Sequence, residues 1–289
     1  MVFLNLVLIR PPDYKLFKPT PINPGANYFA VYQANSQHPN LIDIYLADEN
    51  DKQVYVGSYA DVYTNHYHWY EYNQGYLYII KRIGNSEISK DWTDELWQIS
   101  LSATEKLIYS GQGIDFRVAP SNNQVAIKET DNLYIIRLDT GEKQTFKQSQ
   151  LGSVNPASSF ELLGWSQDNQ YFWSKSLFDE PYFLRIDVNQ SKIQKYAMDI
   201  RVYDYVLNYN TGGLVYSNYP RFYGVEEQDA FKKSGQFITL KYLNLLTGNF
   251  SDISQAQVWE FKPAWIDNQT IEYNNPETGE RVQYVITIN

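Results

Sequence analysis

One strand pattern recurs along the chain and constrains the fold more than any other feature. Asn132–Gly141 (NLYIIRLDTG) alternates apolar and polar residues and ends in a polar turn. Close copies are Glu95–Ser102 (ELWQISLS), Pro181–Asp187 (PYFLRID) and Leu240–Gly248 (LKYLNLLTG). Weaker ones stand at Leu41–Ala47 and Gln283–Asn289. Aligned on one column, Ile42, Trp97, Tyr134, Tyr182, Lys241 and Tyr284 follow one another at intervals of about 48 residues, so six such units account for all 289. A repeat of that length marks an array of similar supersecondary units.

Each unit holds more than one strand. Upstream of the recurring strand come two apolar runs joined by a tight polar turn, as in Phe116–Ile127 (FRVAPSNNQVAI), Leu163–Trp173 (LGWSQDNQYFW) and Pro263–Ile271 (PAWIDNQTI). Turn residues between alternating runs read as hairpins. Downstream lies a short fourth strand, such as Glu142–Lys147 or Lys192–Ala197. Helical periodicity is confined to a turn or two near Glu226–Lys233. Four antiparallel strands per unit, repeated radially, predict an all-β six-bladed β-propeller. Its blades span about 11–58, 59–110, 111–148, 159–198, 200–254 and 255–289, in a single domain over 1–289. The last unit stops after its third strand. Val2–Ile9 is a spare apolar strand ahead of the first strand of the first unit, near Tyr14–Lys18. It is expected to complete the sixth blade and fasten the circle. A secretory signal is the competing reading, but no basic stretch precedes the run and Arg10-Pro11-Pro12 follows it in place of a small-residue cleavage site.

Composition narrows the function. With 24 Lys and Arg against 33 Asp and Glu, the net charge of −9 lacks the cationic footprint that holds phosphate backbones, which argues against nucleic acid. The longest apolar stretch, Val2–Ile9, is interrupted by Asn5 and falls far short of the roughly 20 residues that cross a bilayer as a helix. Cysteine is absent, which excludes disulfides, thiolate metal sites and cysteine nucleophiles. The 26 Tyr, with 7 Trp and 14 Phe, suit strands and half-wetted surfaces.

The turns Val118–Asn122 (VAPSN) and Trp165–Asn169 (WSQDN), each followed about a dozen residues later by an aromatic strand ending in Arg137-Leu138-Asp139 or Arg185-Ile186-Asp187, resemble the repeats of TolB-like six-bladed propellers. That family usually carries Ser-Pro-Asp-Gly at this turn, and no unit here keeps all four residues. The resemblance implies the fold, a location outside the cytoplasm and a role in binding other proteins.

His66 and His68 lie two apart on one strand face and could share a metal, but the remaining histidine, His38, belongs to another unit, and a catalytic zinc site needs three protein ligands. Two ordinary strand histidines among aromatics is the plainer reading. Asp115 and Asp204 occupy equivalent places on innermost strands, where the fourth and sixth units carry Leu162 and Lys262. Two acids could serve as general acid and base at a central channel, but they do not make a metal-binding ring. The segment Ser166–Trp173 is only superficially like a sialidase Asp-box and is discounted. No nucleophile elbow and no phosphate-cradling loop is present. No cofactor is implied.

The loops carry more. Connections between second and third strands emerge at the same face as the links entering the next blade. The long ones fall there: Gln33–Asn40, Arg82–Thr93 and Ser217–Gly235, joined by the link Ser149–Ser159. Irregular loops on a rigid scaffold are where binding residues concentrate. Tyr219, Arg221, Phe222, Tyr223 and Trp92 are of types that anchor interfaces, unless they fold inward and plug the channel mouth. The expectation is a monomeric, non-catalytic module that recognises a protein or peptide through its long-loop face, with neutral or basic partners favoured. The alternative is a propeller-type hydrolase or lactonase acting on a carbohydrate or lactone at the channel.

Overall fold

The computed structural model describes residues 29–47, 53–65, 68–84, 91–100, 104–130, 132–151, 160–176, 182–197, 205–218, 225–257 and 260–287. They form two compact units, Met1–Gly164 and Trp165–Asn289. The architecture is nearly all-β: strands paired with their sequence neighbours in antiparallel sheets, as the alternating pattern predicts.

In unit 1 the first sheet orders β1 (Phe29–Ala34), β2 (Leu41–Ala47) and β3 (Gln53–Ala60). The second holds β4 (Tyr70–Asn73), β5 (Tyr76–Ile83), β6 (Thr93–Ser100) and β7 (Glu105–Gly111) in chain order. The third holds β8 (Ile114–Val118), β9 (Gln124–Glu129), β10 (Asn132–Arg137) and β11 (Lys143–Lys147), after which comes the one-turn α1 (Gln148–Leu151). The division between units crosses β12 (Phe160–Trp165), which opens a fourth sheet continued by β13 (Tyr171–Ser176), β14 (Tyr182–Asp187) and β15 (Lys192–Ala197). Unit 2 adds a fifth sheet of β16 (Tyr205–Leu207), β17 (Gly213–Ser217), β18 (Ile238–Asn244) and β19 (Phe250–Ala256), with α2 (Val225–Ser234) between β17 and β18. The sixth holds β20 (Ala264–Trp265), β21 (Thr270–Asn274) and β22 (Arg281–Val285).

Four of the six aligned residues fall in the third strand of a four-stranded sheet, Trp97 in β6, Tyr134 in β10, Tyr182 in β14 and Lys241 in β18, while Ile42 lies in β2 and Tyr284 in β22 of the two three-stranded sheets. The sheet ends run slightly past the expected blade divisions, with β3 reaching Ala60 and β19 reaching Ala256. Two sheets, the first and the last, show three strands among the described residues. The segments expected to add to them, Tyr14–Lys18 and Val2–Ile9, lie outside those residues.

The central strands explain why the sheets stack. Leu77, Tyr78, Ile79 and Ile80 of β5 are all fully buried. Side chains alternate across a strand, so consecutive residues enter different cores. Leu77 and Ile79 join Ile44, Leu46 and Tyr59 of the first sheet. Tyr78 and Ile80 join Phe116, Val125 and Ile127 of the third. The second sheet is thus a wedge with an apolar layer on each face. Unit 2 repeats the device, where Val215, Leu240 and Tyr242 of the fifth sheet pack on Trp265, Ile271 and Tyr273 of the sixth. In unit 1, β1 lies against β4 and β4 against β8.

The short hairpins supply lateral bonds. Gln74 and Gly75 both take positive φ, 45° and 86°, in the tight turn that joins β4 to β5. Asn122 and Asn169, at φ 55° and 60°, hold the turn place where TolB-like repeats carry glycine, and asparagine tolerates that conformation better than other side chains. Asn73 Nδ2 donates to the Ala119 carbonyl at 2.8 Å while Asn122 Nδ2 donates back to the Asn73 carbonyl at 2.8 Å, locking the second sheet's turn to the third's. In unit 2 the Gln167 N–H donates to Asn210 Oδ1 at 2.7 Å, and Asn210 Nδ2 to Asn268 Oδ1 at 3.0 Å, linking three successive sheets.

Replacing Ile79 by alanine should cost about 2–5 kcal/mol, because it opens a cavity in an interface between sheets. Ile83, at the end of the same strand and 41% exposed, should lose no more than about 0.5 kcal/mol on the same substitution. Urea unfolding of the two variants measures the difference.

Candidate functional site

Three of the connections expected to be long are each fastened at the neck. Between β1 and β2, Asn35 Oδ1 accepts the N–H groups of Gln37 and His38 at 2.9 and 2.8 Å. Between β17 and β18, the Asn218 N–H donates to the Thr239 carbonyl at 3.1 Å and Asn218 Oδ1 accepts the Thr239 N–H at 2.7 Å. This connection contains α2, whose Phe231 packs on the core between the fifth and sixth sheets while Val225 stays exposed. Between β5 and β6 the neck is tighter. Gly84 has φ 103°, and a Cβ there would stand 2.5 Å from the Asp91 carbonyl oxygen, so no larger residue fits without moving the chain.

Trp92 ends that third connection. It is half-buried, and its ring lies 3.8 Å from the Arg82 guanidinium carbon. Its carbonyl accepts from Gln112 Nε2 at 3.2 Å. One ring face therefore rests on the protein, which sets the orientation of the rest of the side chain. The other four members of the expected binding face, Tyr219, Arg221, Phe222 and Tyr223, lie outside the described residues.

The inner strands of unit 1 carry the expected channel acid. Asp115 of β8 is buried; its Oδ1 accepts the Phe116 N–H at 2.8 Å and Arg117 Nη1 at 3.0 Å. Its expected counterpart, Asp204, lies outside the described residues. A second acid, Glu71 of β4, stands where sequence reasoning did not look. Its Oε2 accepts the Val118 N–H of β8 at 3.1 Å, a bond between two innermost strands. His68 Nε2 is 3.5 Å from the same oxygen and its ring is 4.9 Å from that of Phe116. The structure thus sets His68 beside a carboxylate, and His66 lies outside the described residues. Among the described residues no group of three or more His, Asp or Glu is placed to hold a metal ion, and no helix is long and apolar enough to cross a membrane. Glu71 sits in the aromatic strand Tyr70-Glu71-Tyr72, where a lone acid was the available signal.

At the short-turn end of unit 2 lies a shallow depression of about 340 Å³ lined by Ser166, Gln167, Asp168, Tyr171 and Asn210. Asp168 Oδ1 accepts the Ser166 hydroxyl and the Gln170 N–H, at 2.5 and 3.0 Å. This is the Asp-box-like segment, and its carboxylate shapes its own turn.

No protein-family model matches the sequence, and no curated protein matches it. Solved structures do. The fold is similar to that of an oligogalacturonate lyase in complex with manganese, with a TM-score of 0.54 and 12% identity over 87% of this chain and 74% of that one. It is equally similar to an oligogalacturonate lyase from Vibrio parahaemolyticus, at a TM-score of 0.54 and 9% identity over 90% and 77% of the two chains. A prolyl endopeptidase structure gives 0.52 and 8% identity over 91% of this chain, which spans only 43% of that protein. The antiparallel sheets and these neighbours define a β-propeller fold. At that level the resemblance to TolB-like propellers holds. Identities this low bear on the fold alone.

Glu71→Ala should cost about 1–3 kcal/mol by leaving the Val118 N–H without its carboxylate acceptor, read as a shift in the urea midpoint with unchanged slope.

Proposed function

We propose that the chain is a six-bladed propeller, closed by Val2–Ile9 pairing beside β22, that works as a non-catalytic recognition module for a protein or peptide. The observation that carries the reading is the contrast between the two ends of the sheets. Short turns at one end are spent on bonding each other, as Asn73 and Asn122 do. At the other end the β5–β6 and β17–β18 connections are long and fastened at the neck, and the first ends in the aromatic Trp92. A rigid scaffold carrying fixed aromatic anchors loses little freedom on binding. Supporting the blade count are six sheets, in four of which the repeat column lies on the third of four strands. Supporting the closure is Val285 of β22, 61% exposed at the edge of a sheet with one described strand fewer than most. Supporting a non-catalytic role, the described inner acids Glu71 and Asp115 serve as acceptors within and between strands.

Replacing Tyr219, Phe222 and Trp92 by alanine together should abolish partner capture in pull-downs from the source organism while the protein stays folded. Unchanged capture would reject the assignment of this face. Elemental analysis of the purified chain separates the alternative: an equimolar metal would favour a hydrolase or lactonase acting on a carbohydrate or lactone.

A further inference from the structure

One ion pair, Arg82 with Asp94, reaches all three connections at one end of the second sheet. Arg82 pairs in register with Asp94 across β5 and β6. Its Nε and Nη2 donate to the two carboxylate oxygens of Asp94 at 2.6 and 2.9 Å. Asp94 is fully buried, and its Oδ2 also accepts the Gly113 N–H from the β7–β8 link at 3.1 Å. The guanidinium carbon stands 3.5 Å from the centre of the Tyr63 ring, in the segment leading to β4, and 3.8 Å from that of Trp92, at the neck of the β5–β6 connection. The backbone of Arg82 joins in, its N–H donating to the Asp61 carbonyl at 2.7 Å. Burial opposes the charge, but the hydrogen bonds and charge of Asp94, helped by Tyr63, raise the Arg82 pKa and hold the group ionised.

A buried ion pair is a poor way to gain stability compared with apolar residues of the same volume. What the planar fork supplies is geometry. Two bonds to one carboxylate set its plane, and the Tyr63 and Trp92 rings that stand against it take their orientation from that plane. Lysine, a point charge without flat faces, does neither.

We infer that Arg82 is the positioning residue of the recognition face, a guanidinium ligand carried by the chain itself and gripped by Tyr63, Trp92 and Asp94, which presets Trp92 and the neck of the β5–β6 connection. The role in recognition rests on the function proposed above; the grip itself does not. Presetting an anchor strengthens binding by removing the ordering cost at the moment of contact. The grip also has a chemical signature. Two aromatic rings and a carboxylate that accepts two bonds complement a free guanidinium and discriminate against an ammonium.

The test is chemical rescue of the full chain carrying Arg82→Ala. Methylguanidinium at low millimolar concentration should raise its melting temperature by about 2–4 °C. With fluorotryptophan incorporated, the Trp92 resonance, assigned through Trp92→Phe, should return to its wild-type position. Neither methylammonium with the variant nor methylguanidinium with the wild type should do this. No response of the variant, or an equal response to methylammonium, overturns the inference. If Arg82→Ala does not fold, Arg82→Lys decides. Its Trp92 resonance should shift or broaden while the other six of the 7 Trp hold position, and an unmoved Trp92 resonance overturns the inference. These readouts use free protein, so rescue with unchanged partner capture by the alanine anchor variants would uphold the grip and sink the recognition reading. Loss of capture without rescue would do the reverse.

Discussion

Burial of central strands on both faces is the constraint on which the structure depends. A sheet with one apolar face needs one neighbour. A sheet whose middle strand is buried at Leu77, Tyr78, Ile79 and Ile80 alike needs two. Each such side chain contributes about 1.5–3 kcal/mol when removed from water, so the second sheet has no stable form except between the first and the third. The same arithmetic applies to β13, where Phe172 and Trp173 point to opposite faces and both are fully buried. Sheets that demand neighbours on both sides extend as a stack until something covers the last face.

Packing of this kind fixes distances between sheets more firmly than it fixes their slide. The slide is set by directional bonds at the short turns. Asn73 and Asn122 exchange donors across one pair of sheets, and Gln167, Asn210 and Asn268 form a chain across three others. The indole N–H groups of Trp173 and Trp265 add bonds to the Tyr209 and Val206 carbonyls, at 2.9 and 3.4 Å. With one end tied in this way, the opposite end can bear long connections without loss of scaffold rigidity, which is the condition for a recognition surface.

Much of the fold was legible because it is written locally. Alternation over six residues marked β10, β14 and β18, and polar turns marked the hairpins around Asn122, Asn169 and Asn268. The stretch near Glu226–Lys233 was correctly singled out as helical and is α2. What escaped was anything set by register or by packing between sheets. Arg82 and Asp94 face each other only because β5 and β6 pair at one register, and a sequence separation of twelve hides that. Glu71 belongs to no motif in the sequence, and its role comes from the bond its carboxylate makes across to β8. Trp92 was selected as an anchor for its residue type; that an arginine from the far side of its own loop supports it could not be read from spacing.

The circular arrangement is the claim from which the recognition face, its aromatic rim and the role of Val2–Ile9 all follow. The absence of native cysteine makes it directly measurable. Gln283→Cys of β22, combined in turn with Leu4→Cys, Asn5→Cys and Leu6→Cys, places thiols on the two segments expected to pair. A disulfide closes only when the Cα atoms come within about 4.4–6.8 Å. The account predicts that at least one pair oxidises within the folded monomer, seen as a faster-migrating band that reductant abolishes. Failure of all three pairs to close, with both thiols of each reactive toward maleimide in the folded protein, would contradict it.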